Sequence, residues 1–330
     1  MLPFVLIFLV ALIVAMAATP VARRLAVVSG MVAIPNSRRA HQTPTPLLGG
    51  IAIYLGCAIA LILFGDRFYV AQLIGIFVGA TVVSFLGLWD DRSELPPLVK
   101  LAGQLVGAGL LMWTGIRVQI FPSLIIDGAL TLLWIIGITN AMNLVDNMDG
   151  LSGGVATVAS AFFLLLAVQS GQFLVASLAA ALLGACLGFL YYNFNPASIF
   201  MGDSGSLFIG YVLAAVGLKL KFDNTDLVTW MIPVLILGVP IFDTTLVVVS
   251  RLRRGVNPLV GGKDHISHRL VQLGWTHREA VMALYLACGA LGIIATMLVH
   301  ATMKEAYTVA GMIAVVALMA LVKLETIETS

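Results

Sequence analysis

The chain has 330 residues, 60% of them hydrophobic and only 10% charged, with a net charge of +2 and a mean hydropathy of +1.05. A soluble globule carries about 25% charged residues, so this composition excludes a water-soluble protein and defines an integral membrane protein. The small net charge, spread over many short loops, also excludes a nucleic-acid partner.

The first apolar run, "MLPFVLIFLVALIVAMAATPVARR", has no basic residue before it and is followed by Arg23 and Arg24. That polarity is wrong for a cleaved signal, so the run is expected to be a retained first helix entering from outside. Runs near the roughly 20 residues that cross a bilayer follow at 47–64, 70–88, 98–114, 128–142, 151–169, 173–191, 204–219, 227–249, 279–299 and 306–322. The expectation is an all-α, polytopic membrane protein of about eleven transmembrane helices, the fifth being the shortest. With the N-terminus outside and the C-terminus cytoplasmic, thirteen of the eighteen Lys and Arg residues fall on the inner side. This bias agrees with the positive-inside rule. No repeat or long linker is evident, so residues 1–330 read as one transmembrane domain. Cys57, Cys186 and Cys288 each lie in an apolar run and read as reduced packing thiols.

With sidedness set by Lys and Arg alone, the unusual polar stretches converge on the inner face. They are "PNSRRAHQTPTPLLGG" (35–50), "WDDRSELPPLVK" (89–100), "NLVDNMDGLSGG" (143–154), "NFNPASIFMGDSGS" (193–206) and "KDHISHRL" (263–270). Asp90, Asp91, Asp146, Asp149 and Asp203 would repel one another if gathered without a cation. Their oxygen donors suit Mg2+, with Mn2+ as an alternative, over zinc. Mg2+ commonly binds one or two carboxylates plus substrate phosphates, which points to a phosphorylated substrate and phosphoryl transfer.

Each cluster also has an ordinary structural reading. Asp90 and Asp91 could end the third helix in water, and Lys100 could snorkel to the interface. Asp203 could cap the eighth helix, whose amino end also attracts phosphate; Gly202 and Gly205 would allow close backbone approach there. Asp146 and Asp149 share a face if their segment is helical. His265 and His268 lack a third ligand for zinc and suit donation to phosphate or sugar oxygens. His41, by itself an ordinary surface histidine, stands in the first cluster. Asp243 lies inside the ninth apolar run, where an acid is a functional candidate by default, and Pro240 is expected to bend that helix.

In order, "GLWDDRSELPPLVKLAGQ", "NAMNLVDNMDGLSGG", "FNPASIFMGDSGSLFIG" and "HISHRL" resemble the polyprenyl-phosphate N-acetylhexosamine-1-phosphate transferases, especially the bacterial WecA/TagO-like group. The likeness spans about 30–280. It implies a multi-pass enzyme of the bacterial inner membrane with a cytoplasmic active site. Such an enzyme moves a sugar 1-phosphate, here expected to be GlcNAc-1-phosphate, from a UDP-N-acetylhexosamine to undecaprenyl phosphate and releases UMP. This is the first membrane step of a lipid-linked glycan, among membrane lipids and with a homodimer as a compatible assembly. The resemblance implies Asp90 and Asp91 as catalytic, Asp149 and Asp203 as metal ligands, and His41, Lys100, Asn143, Asp146, Asn195, His265 and His268 as substrate contacts. Ser267 departs from the pattern, since many members carry another histidine there. The related phospho-N-acetylmuramoyl-pentapeptide transferases have three consecutive histidines in this loop, so that substrate ranks lower. Another UDP-sugar donor stays open, and a transporter ranks last, because its polar groups belong near the midplane in repeated halves.

Overall fold

The protein is described from a computed structural model, which covers residues 1–33, 44–65, 70–224, 226–257 and 262–327. The helices are α1 (Leu2–Val28), α2 (Gly49–Phe64), α3 (Val70–Ser93), α4 (Pro97–Trp113), α5 (Leu124–Val145), α6 (Leu151–Gln169), α7 (Phe173–Asn193), α8 (Gly202–Lys219), α9 (Asp226–Ile236), α10 (Gly238–Arg253), α11 (Ile266–Gln272), α12 (His277–Leu298) and α13 (Met303–Glu325). A two-residue antiparallel pair, β1 (Val32–Ala33) with β2 (Thr45–Pro46), joins α1 to α2.

Every apolar run of the sequence becomes helical, and the chain is an all-α, multi-pass membrane protein. Among the described residues, seven helices are long and apolar enough to cross a membrane, and the bent pair α9–α10 makes an eighth. The helices α2 and α4 have 16 and 17 residues. At 1.5 Å per residue they reach about 25 Å, short of the roughly 30 Å hydrocarbon core.

Two expectations need correction. The fifth helix is not the shortest: it runs for 22 residues, with Ser123 accepting the N–H of Ile126 at its start. An apolar count stops at polar residues, but this helix finds partners for them in neighbouring segments. Asp127 accepts the N–H groups of Ile120 and Phe121, and Asn140 pairs with Gln104 of α4. In the ninth run the bend is a break of 77° at Leu237, between α9 and α10. Pro240 falls in the first turn of α10, where a missing N–H costs nothing.

The helix α8 is the core of the bundle, with α3, α5, α2, α6 and α7 packed on it and nearly every residue buried. Small residues permit that crowding, as they do between transmembrane helices generally. A Cβ at Gly205 would stand 2.7 Å from the Cα of Gly50 in α2. Tyr211 passes between α3 and α4 and donates its hydroxyl to the Gly107 carbonyl at 2.8 Å. Outward-facing Leu286, Met297, Val316 and Met319 of α12 and α13 are largely exposed, as a lipid-facing surface requires.

Candidate active site

The site begins where α3 ends and α8 starts. The first N–H groups of a helix lack internal partners and carry partial positive charge. Here a carboxylate from another helix satisfies them: Asp91 Oδ1 accepts the Asp203 N–H at 2.8 Å and Oδ2 accepts that of Ser204 at 3.2 Å. Gly202, at φ +70°, makes room, since a Cβ there would sit 2.5 Å from Asp91 Oδ2. Asp203 is therefore not the cap expected of it. Met201 holds the cap position, and the Asp203 carboxylate is free to face the neighbouring helices.

Asp203 meets two donors. Lys100 Nζ of α4 lies 2.9 Å from its Oδ2, and Asn143 Nδ2 of α5 lies 2.9 Å from its Oδ1. The same ammonium reaches Asp90 Oδ2 at 2.7 Å, while Asp90 Oδ1 accepts the Leu95 N–H at 2.6 Å. Lys100 thus bridges Asp90 and Asp203. Asn143 extends the net to Ser206 Oγ at 2.8 Å.

The connection from α5 to α6 forms the next wall. It is a turn, so Asp146 and Asp149 do not share a helical face: α5 stops at Val145, and Gly150 at φ +79° starts α6. The turn is pinned by Asn193, which accepts the Gly150 N–H, and by the Tyr285 hydroxyl, which donates to the Gly150 carbonyl. Asp149 Oδ2 accepts from Asn195 Nδ2 at 3.1 Å and from the Ala197 N–H at 3.0 Å. Arg278 in turn grips the Asn195 carbonyl. Asp146 takes no hydrogen bond from the described residues. Its own burial, then the negative charges of Asp203, Asp91 and Asp149, hold its carboxyl well above the usual carboxylate range.

The histidine segment closes over this wall. Ser267 Oγ donates to Asn147 Oδ1 at 2.6 Å, while Asn147 Nδ2 donates to the Leu144 carbonyl. His265 Nδ1 lies 2.7 Å from Asp243 Oδ2, and the His265 and His268 rings are 6.2 Å apart. Burial, then the neighbouring His265 and Lys263, push His268 down to about 4, so it is neutral at pH 7 and keeps one N–H to donate. Arg269 points inward and bonds Ser250 Oγ and the Asp264, Leu324 and Ile327 carbonyls. Burial alone would raise the Asp264 carboxyl, but Arg251 and Arg254 prevail and hold it below its ordinary value.

Asp90, Asp91, Lys100, Asn143 and Asp203 therefore form one bonded net, and Asp146 lies within its field. Asp149 and Asn195 pair beside it, and Ser267 ties His265 and His268 to the same turn. His41 lies outside the described residues. Sequence reading missed Ser206, Tyr285 and Arg278 as parts of the site. Ser206, like Asn147, stood in a quoted cluster, whereas Tyr285 and Arg278 lie on α12 with no spacing signal to mark them.

Among the described residues no three Asp, Glu, His or Cys side chains form a ready ligand set. Mg2+ needs only one or two carboxylates when phosphate and water complete its shell. Asp203, with oxygen donors around it and the unpartnered Asp146 nearby, has the chemistry for that mode of binding.

Fold and relatives together define a polytopic membrane phosphotransferase. Residues 73–221 match the model of glycosyl transferase family 4, a span from α3 into the segment after α8 that holds the whole carboxylate net. The chain is 36% identical over 311 residues to a probable undecaprenyl-phosphate N-acetylglucosaminyl 1-phosphate transferase of Bacillus subtilis, covering 92% of this chain and 87% of the relative. It is 34% identical to a decaprenyl-phosphate N-acetylglucosaminephosphotransferase of Mycolicibacterium smegmatis, with 95% and 86% covered. It is 29% identical to an undecaprenyl-phosphate alpha-N-acetylglucosaminyl 1-phosphate transferase of Yersinia pestis, with 83% and 78% covered. The chain belongs to glycosyl transferase family 4.

Proposed function

We propose that this protein transfers GlcNAc-1-phosphate from UDP-GlcNAc to undecaprenyl phosphate, releasing UMP. A lipid phosphate oxygen attacks the sugar-bearing phosphorus of the donor. A new P–O bond forms there as the bond from that phosphorus to the bridging oxygen breaks, and the electron pair leaves with UMP. The supporting observation is the Asp203 carboxylate, set between Lys100 and Asn143 at the head of α8 beside the unpartnered Asp146.

Two anions must meet for this reaction. Lys100 supplies a fixed positive charge that a phosphate can share with Asp90 and Asp203. Asp90, pinned by the Leu95 N–H and Lys100, orients the acceptor; it need not be a strong base, because a phosphate monoester is largely ionised near pH 7. Asp91 locks the start of α8 and so fixes Asp203. Asp146, Asn195, His265 and His268 surround the nucleotide-sugar. Mg2+, or Mn2+ in its place, would be held by Asp203 and Asp149 and would neutralise charge on the diphosphate.

The wider reading has eleven transmembrane helices in one domain, the N-terminus outside and the C-terminus cytoplasmic. The bonded net then opens to the cytoplasm at the bacterial inner membrane, where a soluble nucleotide meets a lipid. Purified protein would be given undecaprenyl phosphate, a panel of UDP-N-acetylhexosamines, and Mg2+ or EDTA. UMP release that is fastest with UDP-GlcNAc and abolished by EDTA is expected. Release with no donor in the panel would end the proposal.

A further inference from the structure

Asp243 belongs to none of the four motifs, yet it is 3% exposed and both of its oxygens are engaged. The break at Leu237 turns α10 so that this carboxylate arrives at the head of α11. There Oδ1 accepts the Ile266 N–H at 2.7 Å, and Oδ2 lies 2.7 Å from His265 Nδ1. His265 occupies the cap position of α11 and is itself 4% exposed. A ring buried so fully cannot turn about freely, and a carboxylate at Nδ1 requires a proton on that nitrogen. Nε2, which bonds none of the described residues, is then the nitrogen left for a ligand.

The surrounding bonds hold the segment in the same pose. Ser267 anchors it to the turn that carries Asp146 and Asp149, and the buried Arg269 guanidinium anchors it to α10 and to the end of α13. Those contacts fix the backbone together with Asp243 Oδ1 and leave Oδ2 to the imidazole.

We infer that Asp243 is a positioning residue: it holds His265 by Nδ1–H and so presents the unprotonated Nε2 as an acceptor to a hydroxyl of the bound nucleotide-sugar. The inference rests on the proposed function, in which His265 meets that substrate. Orienting partners of a working imidazole are general devices, because they set both its tautomer and its direction.

The test uses full-length protein and UMP release from UDP-GlcNAc. Asp243→Asn keeps the shape and can still accept from Ile266, but it offers an amide N–H to Nδ1 and inverts the tautomer. A fall in kcat/KM of about ten- to a hundredfold is expected, the usual cost of losing such a partner, with Asp243→Glu restoring most of it. In a His265→Gln background, Asp243→Asn should add no further loss. Losses that multiply would show that Asp243 acts through something other than His265 and would overturn the inference.

A second comparison does not depend on Asp243→Asn folding. Gln places its amide near the position of Nε2 and Asn near that of Nδ1, so His265→Gln should retain more activity than His265→Asn. The reverse order, or equal impairment, overturns the inference. Wild-type turnover in both His265 variants would instead remove the histidine contact from the proposed function, and the inference with it.

Discussion

At the end of the bundle that holds residues 114–123, Asp127 is 6% exposed and its Oδ1 accepts the N–H groups of Ile120 and Phe121 at 3.3 and 3.1 Å. At the opposite end Asp146 accepts nothing from the described residues, and Asp203, Asp91 and Asp149 add negative charge around it. The first carboxylate is completed by its own backbone and serves the fold. The second belongs to a group whose charge exceeds what Lys100 can balance. Burying an uncompensated charge is costly, which is why burial and the surrounding carboxylates hold Asp146 toward its neutral form.

The sharpest way to break this contrast is to remove one carboxylate from each end. Asp203→Asn is expected to lower UMP release by about a thousandfold, the upper range for losing one preorganised electrostatic contact, while the folded protein survives. Activity within a few-fold of wild type would mean that the bonded net is structural. Lys100→Met should cost about a hundredfold in the same assay, and Lys100→Arg should not restore it, because a planar fork cannot replace a compact ammonium between two carboxylates.

At the other end the currency changes from rate to stability. Asp127→Ala leaves two backbone N–H groups without their acceptor, and a loss of about 1–3 kcal/mol is expected. Thermal melting in detergent should fall while turnover per folded molecule stays unchanged. A catalytic defect would erase the distinction between the two ends.

The smallest effect concerns Asp264, which shares the end of the site but is fully paired. Its folded carboxyl lies below the ordinary value because Arg251 and Arg254 outweigh burial. Its contribution to stability is therefore present above the ordinary carboxylate range and is lost as pH falls through the lower folded value. As pH is lowered from about 5 to about 2.5, across and below the ordinary aspartate value of about 3.9, the wild type should lose slightly more thermal stability than Asp264→Asn. Equal losses would show that the pairing is not felt by the fold.

Much of this was readable before any coordinates. Apolar runs gave the helices, and sidedness from Lys and Arg grouped four of the five polar clusters that the fold brings together; the first lies mostly outside the described residues. Individual duties were less readable, because spacing along a chain does not say which helix end a side chain meets. Asp203 looked like a cap, but Asp91 caps α8 from a position 112 residues away. Asp127 and Asn140 looked like breaks in an apolar run because their partners lie outside it. Arg269, in a motif that suggests phosphate binding, is 1% exposed and turned away from solvent.

That inward turn bears on how the enzyme comes into being. The guanidinium bonds carbonyls at 324 and 327, so the segment bearing His265 and His268 completes its packing only after residues as far as 327 have left the ribosome and α13 is in place. A fragment that stops before Leu324 would leave a buried cation short of acceptors. Copies truncated there should be inactive and protease-sensitive.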